Sequence, residues 1–239
     1  MSARLSPLDT ARWGCVSATA TDVTSDTLEQ VLSFCRENAV RFLIARCSTG
    51  ELAAAQAMEE GGFRLMDTLV YFARELAAVP SEAAALPVRA LRPGEDAVVA
   101  EVASRAFAGY YGHYHADPRL DRRQCDEVYV DWARRSCVSL EVADGVLVCE
   151  VEGRIAAFAT LRLNSDVEGE GVLFGVAPEA QGRGIYRALM LGGMQWCVGR
   201  SRKRMVVSTQ VTNQAVQKVW TRLGFEPSKS YYTFHKWFT

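Results

Sequence analysis

The chain has 239 residues, 49% hydrophobic and 23% charged, with a formal net charge of -1. Such a composition suits a globular protein with a buried core, and near-neutrality gives no electrostatic reason to expect nucleic acid or an anionic membrane as a partner. A small-molecule ligand is the expectation that remains.

No apolar run approaches the roughly 18 residues of a membrane span, and the opening MSARLSPLDTARW lacks the apolar region of a signal peptide, so a cytoplasmic location is expected. Seven cysteines (15, 35, 47, 125, 137, 149 and 197) are scattered and odd in number, without a Cys-x-x-Cys pair. Neither a disulfide framework nor a metal site is expected from them.

In chain order, DTLEQVLSFCREN puts Leu28, Val31, Leu32 and Cys35 on one helical face, with Asp26 and Glu29 patterned like a capping box. AVRFLIARC reads as a strand, STGELAAAQAMEEGG as a helix stopped by glycine, and RLMDTLVYFAREL as another strand. The Ala-rich stretch from Glu75 to Pro87, with two prolines, reads as a linker. It divides a small N-terminal α/β unit (1–80) from a larger one (86–239).

Downstream, DAVVAEVASRAFAGYY and CDEVYVDWARRS read as helices, and GVLVCEVEGRIAAFATLRL as two strands about a Glu-Gly turn. GEGVLFGVAPEA is a third strand stopped by proline, and from Arg183 onward Ile185, Leu189, Gly193 and Cys197 keep a spacing of four. KRMVVSTQ follows as a strand, Asn213 as a cap for a helix carrying Val216, Val219, Trp220 and Leu223, and KSYYTFHKWF as the last strand.

The stretch AQGRGIYRALM is therefore a strand-to-helix turn bearing glycines. The first turn of a helix has unpaired N–H groups and a partial positive charge, so glycine there lets a phosphate come close to the backbone. The sequence contains neither Gly-x-x-x-x-Gly-Lys-Ser/Thr nor a Gly-x-Gly-x-x-Gly near the start of a β-α-β unit, which disfavours ATP and NAD.

VAPEAQGRGIYRAL, followed after a strand by TNQAVQKVWTRLGF, resembles the acyl-CoA signature of the GNAT acyltransferase superfamily over residues 88 to 239. The resemblance implies a C-terminal GNAT fold, a mixed and mostly antiparallel twisted sheet flanked by helices. Acetyl-CoA or another acyl-CoA would be the co-substrate. The pyrophosphate would fall on Gln181, Gly182, Arg183, Gly184, Ile185 and Tyr186, and the pantetheine arm on Phe174, Val176 and Asn213. Close approach is expected at Gly184, with the Tyr186 side chain directed away or alongside the phosphates.

The N-terminal unit, SRAFAGYYGHYHADPRLD and DEVYVDWA are also similar to dTDP-fucosamine acetyltransferases, which N-acetylate a nucleotide-linked 4-amino-4,6-dideoxy sugar. That likeness implies acyl transfer to the amine of a dTDP- or UDP-linked amino sugar. The alternatives are another small amine (amino acid, polyamine, antibiotic) or a catalytically idle binding protein. A homodimer stays open.

Placing Gly62-Phe63 on Gly224-Phe225 sets an offset of 162 residues (225 less 63), which lays strand on strand and helix on helix. The N-terminal unit thus reads as a truncated GNAT half. It has no counterpart of the glycine turn, and Glu51 stands in place of Asn213.

Acyl transfer requires a neutral amine, donors for the developing oxyanion, proximity, and a proton for the thiolate. By resemblance, an N–H near Val176 would serve the oxyanion. The usual tyrosine acid, seven residues after the asparagine, is replaced by Trp220, whose indole N–H only donates. Histidines are suited to proton transfer near neutrality, which makes His115 and His235 the candidate catalytic groups. Tyr111, His113 and Tyr114 are candidate acceptor contacts in a lid joining the first two helices of the larger unit. Tyr231 and Tyr232 are weaker candidate acids, and Glu168 and Glu170 stand where some family members carry a basic glutamate, although solvated turn charges explain them as readily. With no cysteine or serine beside a recognisable base, direct transfer without a covalent intermediate is expected.

Overall fold

The computed structural model describes residues 2–77 and 86–238. The elements run β1 (Ser2–Leu5), α1 (Pro7–Trp13), β2 (Ser17–Thr21), α2 (Ser25–Glu37), β3 (Phe42–Ser48), α3 (Leu52–Glu60), β4 (Arg64–Glu75), β5 (Val88–Ala90), α4 (Asp96–Ala106) and α5 (Arg122–Val138). They continue with β6 (Gly145–Val151), β7 (Arg154–Leu163), β8 (Glu168–Val176), a 3-10 turn (Pro178–Ala180), α6 (Ile185–Val198), β9 (Arg204–Gln210), α7 (Gln214–Arg222) and β10 (Glu226–Trp237). Of the expected linker, residues 78–85 lie outside the described residues.

Two local details differ from the sequence reading. The opening stretch, left unassigned, contains α1, which Ser6 caps by accepting the Asp9 N–H and which ends at Gly14 in the left-handed region (φ 67°). Helix α2 starts before Asp26, because the capping box is built by Thr24 and Thr27, the Thr24 N–H bonding the Thr27 hydroxyl at 2.9 Å. Asp26 and Glu29 are not its members.

The strands form one ten-stranded sheet in the order β1-β2-β3-β10-β4-β9-β8-β7-β6-β5. Only β2–β3 and β8–β9 pair in parallel among the described residues, so the α/β, mostly antiparallel expectation holds.

The 162-residue offset carries β3 onto β9, α3 onto α7 and β4 onto β10 with identical bounds. The pairing is exchanged between the two copies. Strand β4 pairs with β9, Leu69 opposite Gln210. Strand β10 pairs with β3, Tyr231 opposite Ser48, which is the same register moved by the same offset. At the centre β4 and β10 pair with each other. Each copy therefore gives its last strand to the other.

The cores follow the exchange. Phe72 of β4 is buried in the larger cluster against Trp220, ring centroids 5.4 Å apart. Its counterpart Phe234 of β10 is buried in the N-terminal cluster with Leu43, Ala45, Met58 and Phe63.

Side chains alternate across the strands. One sheet face packs on α2, α3, α6 and α7; Gly193 of α6, for instance, meets Leu161 and Met205. The other carries Arg46, Asp67, Gln210, Thr233 and His235 and is covered by α1, α4, α5 and the α4–α5 link.

Because each core is closed by a strand of the other copy, Phe234→Ala is expected to cost about 3–5 kcal/mol, and the chain to unfold in a single calorimetric transition. Two resolved transitions would contradict the interlocking.

Candidate active site

Strands β8 and β9 are paired only from Glu168 opposite Arg204 to Gly171 opposite Val207. Beyond Gly171, β8 continues to Val176 along β7 alone, so the two strands open into a V. The Ala177 N–H bonds the Ala156 carbonyl and the Leu173 N–H the Thr160 hydroxyl, both towards β7. Because successive N–H groups alternate, those of Phe174 and Val176 face into the V. These are the two β8 residues the sequence picked out.

The chain leaves β8 through a 3-10 turn and enters α6. Gly182 (φ 74°) and Gly184 (φ 76°) are both left-handed, and a Cβ at either would meet nothing within 4 Å. The conformation requires glycine, and the space over the backbone is open. The first intrahelical bond of α6 is Ala188 N–H to the Gly184 carbonyl at 3.0 Å. The amides of Ile185 and Tyr186 therefore point out of a helix end that carries partial positive charge. Gln181 turns back to donate to the Val176 carbonyl at 3.3 Å, while Arg183 is exposed. This cradle can accept an anion such as a pyrophosphate without moving.

The Tyr186 side chain turns from the cradle into the interior. Its ring packs on Phe174 (5.4 Å), and its hydroxyl accepts the Trp220 indole N–H at 2.8 Å. The indole at the usual acid position thus grips a phenol supplied by the neighbouring helix. Burial pushes that phenol up against the pull of the indole N–H, so it keeps its proton. The residue's own O–H is left to donate. Asn213 lies at the N-cap of α7 without making a cap bond; its amide donates to the Thr209 hydroxyl at 3.1 Å.

The histidines also differ from expectation. His115 is buried, its Nδ1 accepting the Gly112 N–H at 3.1 Å and its Nε2 bonded to Asp126 at 3.1 Å. Both nitrogens are engaged in holding the link, so it has none to offer a substrate. His235 bonds Asp117 through Nδ1 (2.9 Å) and His113 Nδ1 through Nε2 (2.9 Å). From Lys229, opposite Tyr71, to His235 is six residues along β10. Tyr71 lies opposite Ser208 at the mouth of the V, so at roughly 3.3 Å per residue His235 is about 20 Å away. That distance is counted from the point where β8 and β9 part, and both histidines have their ring nitrogens engaged by neighbouring groups.

Asp117 anchors this line. Burial pushes its carboxyl up, but bonds from His235, the Trp237 indole N–H (2.8 Å) and the Arg119 N–H (3.0 Å) outweigh burial and hold it at about 2. As a carboxylate it accepts the His235 Nδ1–H, and His235 Nε2 shares one proton with His113 Nδ1. Nε2 of His113 has no hydrogen-bond partner among the described residues. Burial, with the charges of His235 and Arg46, holds His113 well below the usual histidine range.

Tyr114 is tied down as well, its hydroxyl donating to Asp9 at 3.1 Å and its ring lying 5.4 Å from Trp13. Tyr111 stands 56% exposed beside Arg122. Tyr231 donates to Asp22 at 3.0 Å.

Glu170, rather than a histidine, stands at the mouth of the V. It pairs with Val206, one residue before β8 and β9 part, and is partly buried. Its charge reaches Tyr71 on the same face. Burial raises its carboxyl above the ordinary carboxylate range, outweighing the bond from Asn164. Such a group binds its proton more readily than an ordinary surface glutamate does. Glu168, by contrast, is paired with Arg204 and Asn164.

Two open depressions, of about 530 and 550 Å³, border β5 and Trp196 at the far sheet edge. They are remote from this chemistry. No cluster of three or more metal-ligating side chains occurs among the described residues, and no helix is long and apolar enough to cross a membrane.

The sequence profile of the Acetyltransferase (GNAT) family matches residues 101–225. The chain belongs to the GNAT acetyltransferase family. Acetyl-CoA is that family's co-substrate, and the open glycine cradle and the V fit a pyrophosphate followed by an amide-bearing arm.

A mycothiol acetyltransferase from Actinosynnema mirum is 32% identical over 71% of this chain and 55% of its own length. The spore coat polysaccharide biosynthesis protein SpsD of Bacillus subtilis is 24% identical over 61% of this chain and 48% of its own. The chain thus spans about half the length of these curated relatives. A crystal structure of a GCN5-related N-acetyltransferase from Sphaerobacter thermophilus shares the fold, with TM-score 0.64 and 16% identity over 98% of this chain and 76% of that one.

Gly184→Val puts a β-branched residue at positive φ and a side chain into the cradle. Acetyl-CoA affinity, measured by calorimetry, is expected to fall at least about tenfold, since left-handed strain alone is about 1–2 kcal/mol. Tyr186→Gly is expected to lower the melting temperature as well, because it empties a packed site and orphans the Trp220 N–H.

Proposed function

We propose that this chain is an acetyl-CoA-dependent N-acetyltransferase that moves the acetyl group directly onto the amine of a small acceptor, a nucleotide-linked amino-dideoxy sugar. The observation that carries the reading is the convergence at one V of outward-facing amides, a glycine cradle and a partly buried glutamate with a raised pKa.

In this reading the pyrophosphate rests on the amides at Gly182 to Tyr186 and the pantetheine arm pairs with Phe174 and Val176. The acceptor amine approaches from the face covered by the α4–α5 link. Glu170 takes the amine's proton, directly or through one water, so that the nitrogen lone pair can attack the thioester carbon. A β8 amide facing the V bonds the oxygen as it gains charge. The carbon–sulfur bond breaks as the adduct's remaining surplus proton leaves the nitrogen for the departing sulfur, to which the Tyr186 hydroxyl hydrogen-bonds. His113 Nε2 faces the acceptor, its ring held in place by His235 and Asp117.

The sugar acceptor rests on the likeness to amino-sugar acetyltransferases and on the name of SpsD. The acceptor of a mycothiol acetyltransferase is a second reading, favoured by the 32% identical relative. Incubation with acetyl-CoA and a panel of both acceptor types, following loss of the thioester and the mass of the product, tests it. Acetylated product is expected. Tight acetyl-CoA binding with no product from any amine would point to an idle binding protein.

Glu170→Gln is expected to lower kcat by about 10²–10⁴ with the KM for acetyl-CoA little changed. Because burial raises the Glu170 pKa, the wild-type kcat should fall as pH drops through a value above the usual glutamate pKa of about 4.3, and the variant should lose that limb. An unaltered profile in the variant would remove Glu170 from the reaction. His115→Ala should instead lower stability by about 1–3 kcal/mol, since it leaves the buried Gly112 N–H unpaired.

A further inference from the structure

Beyond the V, the covered face carries a row of polar side chains not used in the transfer step. Arg46 on β3 stands opposite Thr233 on β10, and Thr233 stands opposite Asp67 on β4. Arg46 donates from Nε to the Thr233 hydroxyl at 3.3 Å, while Gln210 donates to Asp67 Oδ2 at 3.1 Å. The other carboxylate oxygen, Asp67 Oδ1, is buried without a partner. The remaining unpartnered buried atoms among the described side chains, on Trp13, Arg135 and Arg202, are all donors. A carboxylate oxygen left so is costly unless a ligand satisfies it.

At the other end of the row, the terminal nitrogens of Arg46 have no carboxylate partner among the described residues, though the side chain is partly buried. Arg46 and Asp67 lie two strands apart, so their Cα atoms are about 10 Å apart, and both keep some exposure to solvent. Tyr110, Tyr129 and His113 lie over them: the Asp67 charge adds to burial in pushing Tyr110 up to about 12, and the Arg46 charge contributes to holding His113 down. Counting four residues along β4 from Tyr71, Asp67 is about 13 Å from the mouth of the V. A sugar ring alone falls short of that span; an acceptor with its amine at the V and a phosphorylated arm on the opposite side of its ring extends towards Asp67 and Arg46.

We infer that Asp67 and Arg46 form a two-point acceptor subsite, in which Asp67 Oδ1 accepts from a sugar hydroxyl or ammonium group and Arg46 binds a phosphate on the arm remote from the reacting amine. The inference rests on the acetyl-transfer reading and names the side chains that hold the sugar and the phosphate of its acceptor. Sugar hydroxyls supply the donors that an ionised carboxylate lacks. A guanidinium with free terminal nitrogens matches phosphate geometry.

The test is calorimetric titration of the chain saturated with coenzyme A, using a dTDP-linked 4-amino-4,6-dideoxyglucose, whose amine and phosphates stand at opposite ends of the ring, and the free amino sugar as probes. Wild type should bind the phosphorylated sugar at least about tenfold more tightly. Arg46→Gln should bring the two sugars to equal affinity, and Asp67→Asn should weaken both by about tenfold. Retained coenzyme A affinity shows that each variant is folded. Equal affinity for the two sugars in wild type, binding of neither, or a preference that survives Arg46→Gln would overturn the subsite. Failure to bind coenzyme A at all, or to acetylate any amine, would strike the parent reading instead.

Discussion

The rest of the molecule depends on the antiparallel pairing of β4 with β10 at the centre of the sheet. Each of these strands belongs by sequence to one copy of a strand-helix-strand repeat and by pairing to the other. The backbone hydrogen bonds of β9 and β3 are thereby satisfied across the repeat boundary, and Phe72 and Phe234 fill the cores opposite their own helices. Neither copy closes its hydrophobic face alone.

The same exchange sets the working surface. Because β4 takes one edge of β9, the other edge meets β8 in parallel for four residue pairs and then parts from it. The V and the amides of Phe174 and Val176 follow from that parting, and the glycine turn comes directly after β8. The N-terminal copy reaches the face covered by the α4–α5 link through β4 and β3, which carry Asp67 and Arg46. It is therefore part of one surface rather than an appended domain.

Periodicity and punctuation made much of this legible. The Gly-Phe pair closing each repeat fixed the offset that the strands and helices obey, and the glycines of AQGRGIYRALM marked a turn whose left-handed backbone only glycine adopts readily. Distance across a sheet is not written in the sequence. His235 looked suited to catalysis by its chemistry, yet six residues of strand separate it from the level of the V. His115 lay in the expected lid, but its partners are Gly112 and Asp126. Glu170 resembled a solvated turn charge because it follows a polar turn; its inward side on β8 depends on where pairing with β9 begins. What Tyr186 packs against was not legible, because the hole it fills is made by Trp220, 34 residues further on. The substitution of tryptophan at the acid position and the phenol at 186 are one feature, visible only when α6 and α7 are packed together.

The most direct test of the account is an amide chemical-shift map of the isotopically labelled chain titrated with acetyl-CoA. The largest shifts should fall on Phe174, Val176, Gly182, Gly184 and Tyr186, and the corresponding strand and helix start of the N-terminal copy, Ser17–Thr21 and Ser25, should stay unmoved. Saturable shifts centred on the N-terminal copy, or on the depressions beside β5, would contradict it.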